Sequence, residues 1–316
     1  MIQLGQYAPP THTIAHVSDT HYLGGRRPLY GSVDTDRSLA RALEQLERSG
    51  TNPSAIVITG DLADLGEPDA YERLKAELEP VATRMGSTII WVMGNHDERA
   101  PFASILLGEK PSDAPQDRIY DIDGLRIIAL DSSVPGYHHG ELTEAQLSWL
   151  EAVLAIPAAH GTLLALHHPP IPTPVELMAI IELQDQQRLA DVIRGTDVRG
   201  ILAGHLHYST FGSFAGIPVS VASATCYTID ASAEPDTLLG VDGGQSVNLV
   251  NIHPDSVVHS IVPIGSFPQV AGFSGVVLER LASMTPHERR EAFSSKSSTF
   301  SVAEAEASAA RGGSGQ

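Results

Sequence analysis

The sequence predicts a folded globular protein of the α/β class, and three observations support this. Short runs of apolar, often β-branched residues alternate with amphipathic helical stretches over about the first 265 residues. Glycines such as Gly50 and Gly195 follow several of the helical stretches, where a helix is expected to stop. The 316-residue chain is 42% hydrophobic, which is typical of a folded globular protein and excludes wholesale disorder.

The first hundred residues contain three predicted strands that alternate with two predicted helices. Leu39, Leu43 and Leu46 share one face of the first helix. We expect Pro80 to kink the second helix, because proline removes a backbone hydrogen bond. In chain order these elements are strand 14–17, helix 35–47, strand 55–59, helix 68–85 and strand 89–93.

The middle of the chain combines a hairpin with a second alternation of strands and helices. Asp123-Gly124 is a hairpin turn signal between strands 118–122 and 125–131. Thr143 and Gln146 form a capping-box pattern that opens a helix through residue 154. The later elements are strand 163–166, helix 186–193, strand 200–203 and four strands at 210–214, 218–221, 247–252 and 257–262. We expect the last strands to be antiparallel edges that close a second sheet.

The character of the chain changes near residue 270, so we predict a folded domain at 1–270 and a largely flexible extension at 271–316. Residues 276–281 can form one or two helical turns. Beyond residue 285 the Ser-, Ala- and Glu-rich composition buries too little to offset its ordering entropy. Val276, Val277, Leu278 and Leu281, with nearby arginines, leave open a weak membrane or envelope contact.

The charge and cysteine content exclude several classes of function. The chain has 20 Lys and Arg against 38 Asp and Glu, a net charge of −18, which argues against a nucleic-acid-binding surface. The single Cys226 excludes an internal disulfide, a thiolate-rich zinc site and an iron–sulfur cluster, and it fits a reducing compartment. Residues 1–10 do not resemble a secretory signal, and no run of 18 apolar residues occurs. We therefore expect a cytoplasmic protein without a spanning helix.

Polar residues that can bind metal ions follow directly on five of the predicted strands. In open α/β sheets, ligands bind at the carboxyl ends of the strands. Carboxylate, imidazole and amide donors without a thiolate suit Mn, Fe, Zn, Co or Mg. The five motifs are Asp19-Thr20-His21, Gly60-Asp61, Gly94-Asn95-His96-Asp97, His167-His168 and Gly204-His205-Leu206-His207.

These five motifs, in this order, resemble the calcineurin-like metallophosphoesterase family, and within it the class III cyclic-nucleotide phosphodiesterases. The resemblance implies two mixed β-sheets packed as a sandwich flanked by helices, a four-layer αββα fold, with residues 1–270 as the catalytic domain. It also implies two metal ions, Fe and Mn as the first choice and Zn, Co or Mg as alternatives. The expected substrate is a small phosphodiester such as cAMP, which is hydrolysed to AMP, and the expected assembly is a homodimer.

The resemblance also assigns roles to individual residues. It places Asp19, His21, Asp61 and His207 on one metal, and it places Asp61, Asn95, His167 and His205 on the second, so that Asp61 bridges the two. The resemblance makes His96 the residue that faces the substrate and Asp64 the residue that supports His96. Protein Ser/Thr phosphatases of the family carry an arginine directly after the residue corresponding to Asp64, whereas this chain has Leu65, which argues against a protein phosphatase.

The expected reaction follows from such a centre. Two cations about 3.5–4 Å apart lower the pKa of a shared water, so we expect a metal-bridged hydroxide to attack phosphorus. We expect His96 to act as a general acid, or as a cation, toward the leaving oxygen. The alternatives are a broader phosphodiesterase or phosphomonoesterase, and a catalytically inactive scaffold with the same fold.

Several other residues receive a structural interpretation. We favour an exposed turn over a substrate contact for His138 and His139, and a loop role for His168. Asp97 is expected either to hold its loop or to contact a metal ligand. Cys226 is expected to be a packed small side chain. The histidines expected to be structural are His12, His16, His160, His253, His259 and His287.

Overall fold

The structure is a computed structural model that describes residues 3–234, 236–270, 272, 275–295 and 298. By internal contacts the chain divides into two units. One comprises Pro10–Ile264, and the other comprises Met1–Pro9 together with Gly265–Gln316. The domain boundary that we expect at residue 270 stays a prediction.

The strands of the larger unit form two large mixed sheets and one small ribbon. The first sheet has the order β13-β12-β1-β2-β3, the second has the order β4-β5-β6-β7-β9-β8, and β10 pairs with β11. In chain order the strands are β1 His12–Val17, β2 Ala55–Thr59, β3 Thr88–Val92, β4 Arg118–Ile122, β5 Leu125–Leu130, β6 Thr162–Leu166, β7 Val198–Ala203, β8 Thr210–Phe214, β9 Ile217–Val221, β10 Thr228–Ile229, β11 Gly240–Val241, β12 Ser246–His253 and β13 Ser256–Pro263.

Each large sheet has a parallel centre and antiparallel edges. Strands β1, β2 and β3 are parallel to one another, and β12 and β13 extend the sheet antiparallel to them. In the second sheet β5, β6, β7 and β9 are parallel, and β4 and β8 are the antiparallel edges. The predicted hairpin around Asp123-Gly124 is therefore present. The expectation that the last strands are all antiparallel edges of a second sheet is wrong, because β9 is parallel to β7 and because β12 and β13 extend the first sheet beside β1.

The helices of the larger unit lie beside these strands along the chain. They are α1 Thr35–Arg48, α2 Pro68–Met85, α3 Arg99–Pro101, α4 Glu144–Leu154 and α5 Gln186–Ile193. Helix α3 runs into a π-helical turn at Phe102–Leu106, and short 3₁₀ helices occur at Gly24–Arg26 and Glu176–Ile181. The predicted capping box of Thr143 and Gln146 opens α4, and α2 continues through Pro80 to a left-handed cap at Gly86.

Three apolar cores fill the spaces between these layers. One core joins the first sheet to α1 and α2, and another joins the second sheet to α4 and α5. The third lies between the two sheets and includes Ile14, Val57 and Val92 from the first sheet with Ile127 and Leu163 from the second. Two mixed sheets packed between helices are the predicted four-layer arrangement, which is thus confirmed.

The smaller unit contains two helices near its end. They are α6 Gly275–Ala282 and α7 Pro286–Arg289, and α7 runs into a π-helical turn at Arg290–Ser294. Val277 and Leu281 of α6 are buried, and Thr285 caps α7 through a capping box. The expected helical turns at 276–281 are present, and the chain is also helical at 286–294, where we expected a flexible extension. Residues 299–316 lie outside the described part of the chain.

No helix within the described residues is long and apolar enough to cross a membrane.

Candidate metal centre

The predicted ligands meet at one edge of the sandwich, where both sheets end. Each follows its strand within three residues: Asp19 follows β1, Asp61 follows β2, Asn95 follows β3, His167 follows β6 and His205 follows β7. Because these strands are parallel within each sheet, their carboxyl ends lie at the same edge. The placement of these residues at strand ends therefore brings together donors from both sheets.

The backbone at this edge is strained at several of the predicted ligands. A positive φ is uncommon for residues other than glycine, and such strain concentrates at functional sites. The structure has the φ angles Asp19 52°, His21 46°, Asp61 50°, His205 70° and His207 58°. The fold therefore holds these side chains in positions that the local chain would not choose by itself.

The first donor cluster consists of Asp19, His21, Asp61 and His207, whose ligand atoms all lie within 4.8 Å of one another. The Nε2 atoms of His21 and His207 are 3.1 Å apart. His21 Nε2 lies 3.5 Å from Asp61 Oδ2, and His207 Nε2 lies 3.4 Å from Asp19 Oδ1. All four side chains are buried.

The second donor cluster consists of Asp61, Asn95, His167 and His205. His167 Nε2 lies 3.3 Å from Asp61 Oδ2, 3.0 Å from Asn95 Oδ1 and 3.2 Å from His205 Nδ1. The same oxygen of Asp61 therefore contacts a histidine of each cluster. The two clusters adjoin at this carboxylate.

The four histidines of these clusters are held in one orientation by hydrogen bonds from their other ring nitrogen. Each of these nitrogens donates to an acceptor, so the nitrogen that faces the cluster carries a lone pair in the neutral ring. Lone pairs that face one another at about 3 Å repel unless a proton or a metal ion lies between them, so the donor set fits metal ions. The acceptors are Asp64 Oδ1 for His21 (2.9 Å), Thr59 O for His167 (2.7 Å), Ile181 O for His205 (3.0 Å) and Tyr227 O for His207 (3.1 Å).

The electrostatics of the centre also favour positive charge. Burial opposes the charge of the His167 ring, but the carboxylates of Asp61 and Asp19 outweigh it and raise the pKa to about 9. Burial would likewise raise the pKa of Asp61, and the surrounding histidines instead hold it well below the usual value. Burial lowers the pKa of His207 to about 4. The buried carboxylates thus attract a cation. Of the two histidines, His167 holds a proton more tightly than a free imidazole does, and His207 holds it less tightly.

His168 and Cys226 lie near the clusters but do not present a free lone pair or a thiolate to a metal ion. Both ring nitrogens of His168 are used by the protein, because Nδ1 accepts from Ser132 Oγ (2.8 Å) and Nε2 donates to His138 O (3.0 Å). Burial and the adjacent His167 lower the pKa of His168 to about 3, so the ring is neutral. Burial raises the pKa of the Cys226 thiol well above its usual value, which disfavours the thiolate that binds metals. The expected packed role of Cys226 agrees with its complete burial.

Two glycines leave room for the ligands. A Cβ atom on Gly94 would lie 2.2 Å from Asp61 N and 2.2 Å from Asp61 Oδ1. A Cβ atom on Gly204 would lie 1.9 Å from Ser18 Oγ and 2.7 Å from Asp19 Oδ2. Each glycine therefore allows a close approach that any side chain would prevent.

Asp97 ties the loops after β2 and β3 together. Its buried carboxylate accepts from the backbone N–H groups of Leu62 (3.1 Å), Ala63 (3.1 Å) and Gly94 (2.9 Å), and from the Tyr71 hydroxyl (2.9 Å). Burial, and then the nearby Asp61, raise the pKa of Asp97 to about 6. Of the two roles that the sequence suggested, the structure shows that Asp97 holds the loop.

His96 and Asp64 are neighbours, but their contact differs from the expected one. His96 Nδ1 donates to the backbone carbonyl of Asp64 at 2.8 Å, whereas the Asp64 carboxylate lies 3.5 Å away. That carboxylate is closer to His21, at 2.9 Å. The side chain of His96 keeps 28% of its surface exposed, so it is accessible from the cavity above the centre.

At His138 we expected an exposed turn in preference to a substrate contact, and the structure shows an exposed residue that also lines the cavity. The structure places its Nδ1 atom 2.9 Å from Asn95 Nδ2, with its ring 5.0 Å from the ring of His96. Asn95 donates this hydrogen bond, which turns its Oδ1 toward His167. His138 lies in the loop that follows β5, a parallel strand of the second sheet. Loops after parallel strands lie at the same edge as the predicted ligands, and this position could have indicated that His138 is near the centre.

Comparisons with known proteins show the family to which this chain belongs. The family model described as calcineurin-like phosphoesterase matches residues 12–209. The "cAMP/cGMP dual specificity phosphodiesterase MT0825" of Mycobacterium tuberculosis (strain CDC 1551 / Oshkosh) is 55% identical, over 86% of this chain and 86% of the relative. The "Probable cyclic nucleotide phosphodiesterase" of Rhodococcus erythropolis (strain PR4 / NBRC 100887) is 54% identical, over 84% of this chain and 88% of the relative.

Solved structures show the same fold at low sequence identity. Purple acid phosphatase PPD1 from yellow lupin (Lupinus luteus) has a TM-score of 0.59 and 12% identity, over 82% of this chain and 52% of that chain. A dimetal phosphatase from Danio rerio has a TM-score of 0.54 and 15% identity, over 81% of this chain and 100% of that chain. Because the family model spans most of the chain and the two bacterial relatives exceed 50% identity, the chain belongs to the calcineurin-like phosphoesterase family, whose members hydrolyse phosphoesters at a dinuclear metal centre.

Proposed function

We propose that this protein is a metal-dependent phosphodiesterase that hydrolyses cyclic nucleotides, including 3′,5′-cyclic AMP to AMP. The observation that carries this proposal is the pair of donor clusters that adjoin at Asp61 Oδ2. The printed names of both relatives above 50% identity support the cyclic-nucleotide substrate.

We assign Asp19, His21, Asp61 and His207 to one cation, and Asp61, Asn95, His167 and His205 to the other. The O and N donor set suits Fe and Mn as the first choice, with Zn, Co or Mg as alternatives. When bound, two such cations supply an activated water and positive charge for the phosphoryl oxygens. The two aspartates carry less charge than two divalent ions, so the loaded centre attracts an anionic diester although the chain is acidic overall.

Within this proposal His96 is the catalytic acid. Its Nδ1–H is committed to the Asp64 carbonyl, so Nε2 is the atom that can hold and release a proton. The Asp64 carboxylate, 3.5 Å from Nδ1, offsets the charge of the protonated ring. Asp64 also orients His21, so we assign Asp64 a supporting role for both histidines.

The sequence-based expectations about assembly and location stay predictions. The homodimer follows from the family resemblance alone. The cytoplasmic location, with or without an envelope contact of the C-terminal segment, follows from composition alone.

The test is hydrolysis of 3′,5′-cyclic AMP by purified protein loaded with manganese, with an EDTA-treated sample and the Asp61→Asn variant as controls. We expect AMP release in the loaded wild type and its loss in both controls. Glycerophosphocholine and p-nitrophenyl phosphate serve as a diester and a monoester for comparison. Turnover of these two without turnover of cyclic AMP would overturn the cyclic-nucleotide proposal and favour a broader phosphoesterase.

A further inference from the structure

The cavity above the metal centre is lined by two kinds of residue. Its volume is about 230 Å³. The polar lining residues include Asn95, His96 and His138, which suit a phosphate group. The lining also includes Tyr30 and other aromatic or aliphatic residues, among them Tyr227, Ile229 and Leu238. A phosphate does not need these aromatic and aliphatic residues, so the organic part of the substrate is the group that they fit.

Tyr30 lies at the tip of a tight turn in a conformation that does not favour tyrosine. Leu29 and Val33 pair through two backbone hydrogen bonds of 2.9 Å each, and the chain turns between them. Tyr30 has a φ of 52° and Gly31 a φ of 74°, both in the left-handed region. Glycine or asparagine occupies that region at a lower cost than a bulky side chain. Neither the turn nor the core explains this residue, because Tyr30 is 73% exposed.

Ring contacts connect Tyr30 to a predicted metal ligand. The rings of Tyr30 and Tyr227 are 5.5 Å apart and nearly perpendicular, at 70°. Their hydroxyl groups are 3.4 Å apart. The Tyr227 ring lies 4.5 Å from the His207 ring, and the Tyr227 carbonyl accepts the hydrogen bond from His207 Nδ1. The position of Tyr30 relative to the metal centre is therefore set by two ring contacts.

We propose that Tyr30, Tyr227 and Leu238 form a subsite for the planar base of a nucleotide whose phosphate lies at the metal centre. The subsite makes the enzyme prefer nucleoside diesters over diesters that lack an aromatic ring. A strained, exposed tyrosine is consistent with this role, because strain of this kind concentrates at functional sites. Stacking on an aromatic ring uses the face of the base and not its edge, so purines and pyrimidines are both accepted. This inference rests on the proposed function.

The test replaces Tyr30 and compares diesters with and without an aromatic ring. For Tyr30→Asn we expect kcat/KM for cyclic AMP to fall by roughly 5- to 100-fold, mainly through KM, since stacking energy is lost. We expect the kcat/KM for glycerophosphocholine to stay unchanged. Tyr30→Phe retains the ring and should retain most of the cyclic AMP activity. Tyr7→Asn, a change of another exposed tyrosine that does not line the cavity, should leave both activities unchanged.

The outcomes separate the subsite from the proposed function. An unchanged kcat/KM of Tyr30→Asn for cyclic AMP, or an equal fall for both diesters, would overturn the subsite while the phosphodiesterase stands. A wild type that turns over glycerophosphocholine and no cyclic nucleotide would overturn the proposed substrate and the subsite together. Bis(p-nitrophenyl) phosphate is a diester with aromatic rings and without a nucleobase. We expect the kcat/KM of Tyr30→Asn for this diester to fall as well. A fall for this diester without a fall for cyclic AMP would overturn the assignment to a nucleobase. The Tm of Tyr30→Asn should not be lower than that of the wild type, because Asn relaxes the turn.

Discussion

Replacing Asp97 tests whether its carboxylate holds the loops that carry Asp61 and Asn95. In Asp97→Ala, four buried donors lose their acceptor: three backbone N–H groups and the Tyr71 hydroxyl. Each buried donor left unsatisfied costs about 1–3 kcal/mol. The variant also removes a buried charge, whose pKa raised from 3.8 to about 6 corresponds to about 3 kcal/mol at pH 7. The four donors together cost about 8 kcal/mol and removal of the buried charge offsets about 3 kcal/mol, so we expect the free energy of unfolding to fall by about 5 kcal/mol, a large part of the usual total.

Asp97→Asn and Tyr71→Phe are the matched variants. Asn keeps an oxygen for Leu62, Ala63 and Tyr71 and loses the bond from Gly94, while it also removes the buried charge. The lost hydrogen bond and the removed charge have opposite effects that nearly cancel, so we expect the free energy of unfolding to change by at most about 1 kcal/mol at pH 7. Tyr71→Phe loses two hydrogen bonds, the one that the hydroxyl donates to Asp97 and the one that it accepts from the backbone N–H of Glu98, and should cost about 2 kcal/mol.

Urea unfolding at pH 7, followed by circular dichroism, measures all three changes. If the free energy of unfolding falls by less than about 1 kcal/mol in Asp97→Ala, the proposed role of this carboxylate in holding the loops is refuted, because four unsatisfied donors cost more than that. The pH dependence provides a second check. Because the pKa of Asp97 is raised in the folded protein, its stabilising contribution is complete below pH 3.8 and is lost as the pH rises through about 6. The stability of Asp97→Asn should not show this decrease between pH 3.8 and about 6, because Asn does not titrate.

Three further substitutions extend the test to the metal centre and the sheet edge. His96→Ala should leave metal content intact and slow cyclic AMP turnover by roughly 10²–10⁴-fold, and an unchanged rate would remove His96 from the reaction. Gly94→Ala should displace Asp61 and lower metal content measured by atomic emission, because its Cβ would lie 2.2 Å from Asp61 Oδ1; full metal content would contradict this. Burial lowers the pKa of His259 from 6.5 to about 4, so the stability of the folded protein should fall as the pH drops below 6.5. In a series of Tm measurements from pH 7 to 4.5, His259→Gln should show a smaller fall in Tm than the wild type. An identical pH profile of the Tm in both proteins would contradict the effect.

The fold and the donor residues could be predicted because both depend on local pattern. Strands and helices have distinct apolar periods, and a polar residue directly after a strand must lie at the sheet edge. Asp19, Asp61, Asn95, His167 and His205 satisfy that rule, and the structure brings all five together. The two-sheet sandwich itself came from the family resemblance, since alternation alone does not say how many sheets form.

The features that sequence reasoning missed depend on the course of loops. Tyr30 and Tyr227 are far apart in sequence, and nothing in either segment indicates that their rings meet. His138 contacts Asn95 only because the loop after β5 folds back over the centre, and the buried His168 holds that loop through the His138 carbonyl. The support of His96 by a backbone carbonyl could not be predicted either, because any residue type supplies that group.

The division of ligands between the sheets has a consequence for how the protein unfolds. The first sheet supplies Asp19, His21, Asp61 and Asn95, and the second sheet supplies His167 after β6 and His205 and His207 after β7. Each cluster therefore takes predicted ligands from both sheets. Ions bound at these predicted ligands would cross-link the two sheets, as disulfides do in other proteins, in a chain whose single cysteine cannot form an internal one. Ligands that bind only the folded state stabilise it by mass action. Chelation should therefore lower the free energy of unfolding, and the Tm should follow the metal supply of the growth medium.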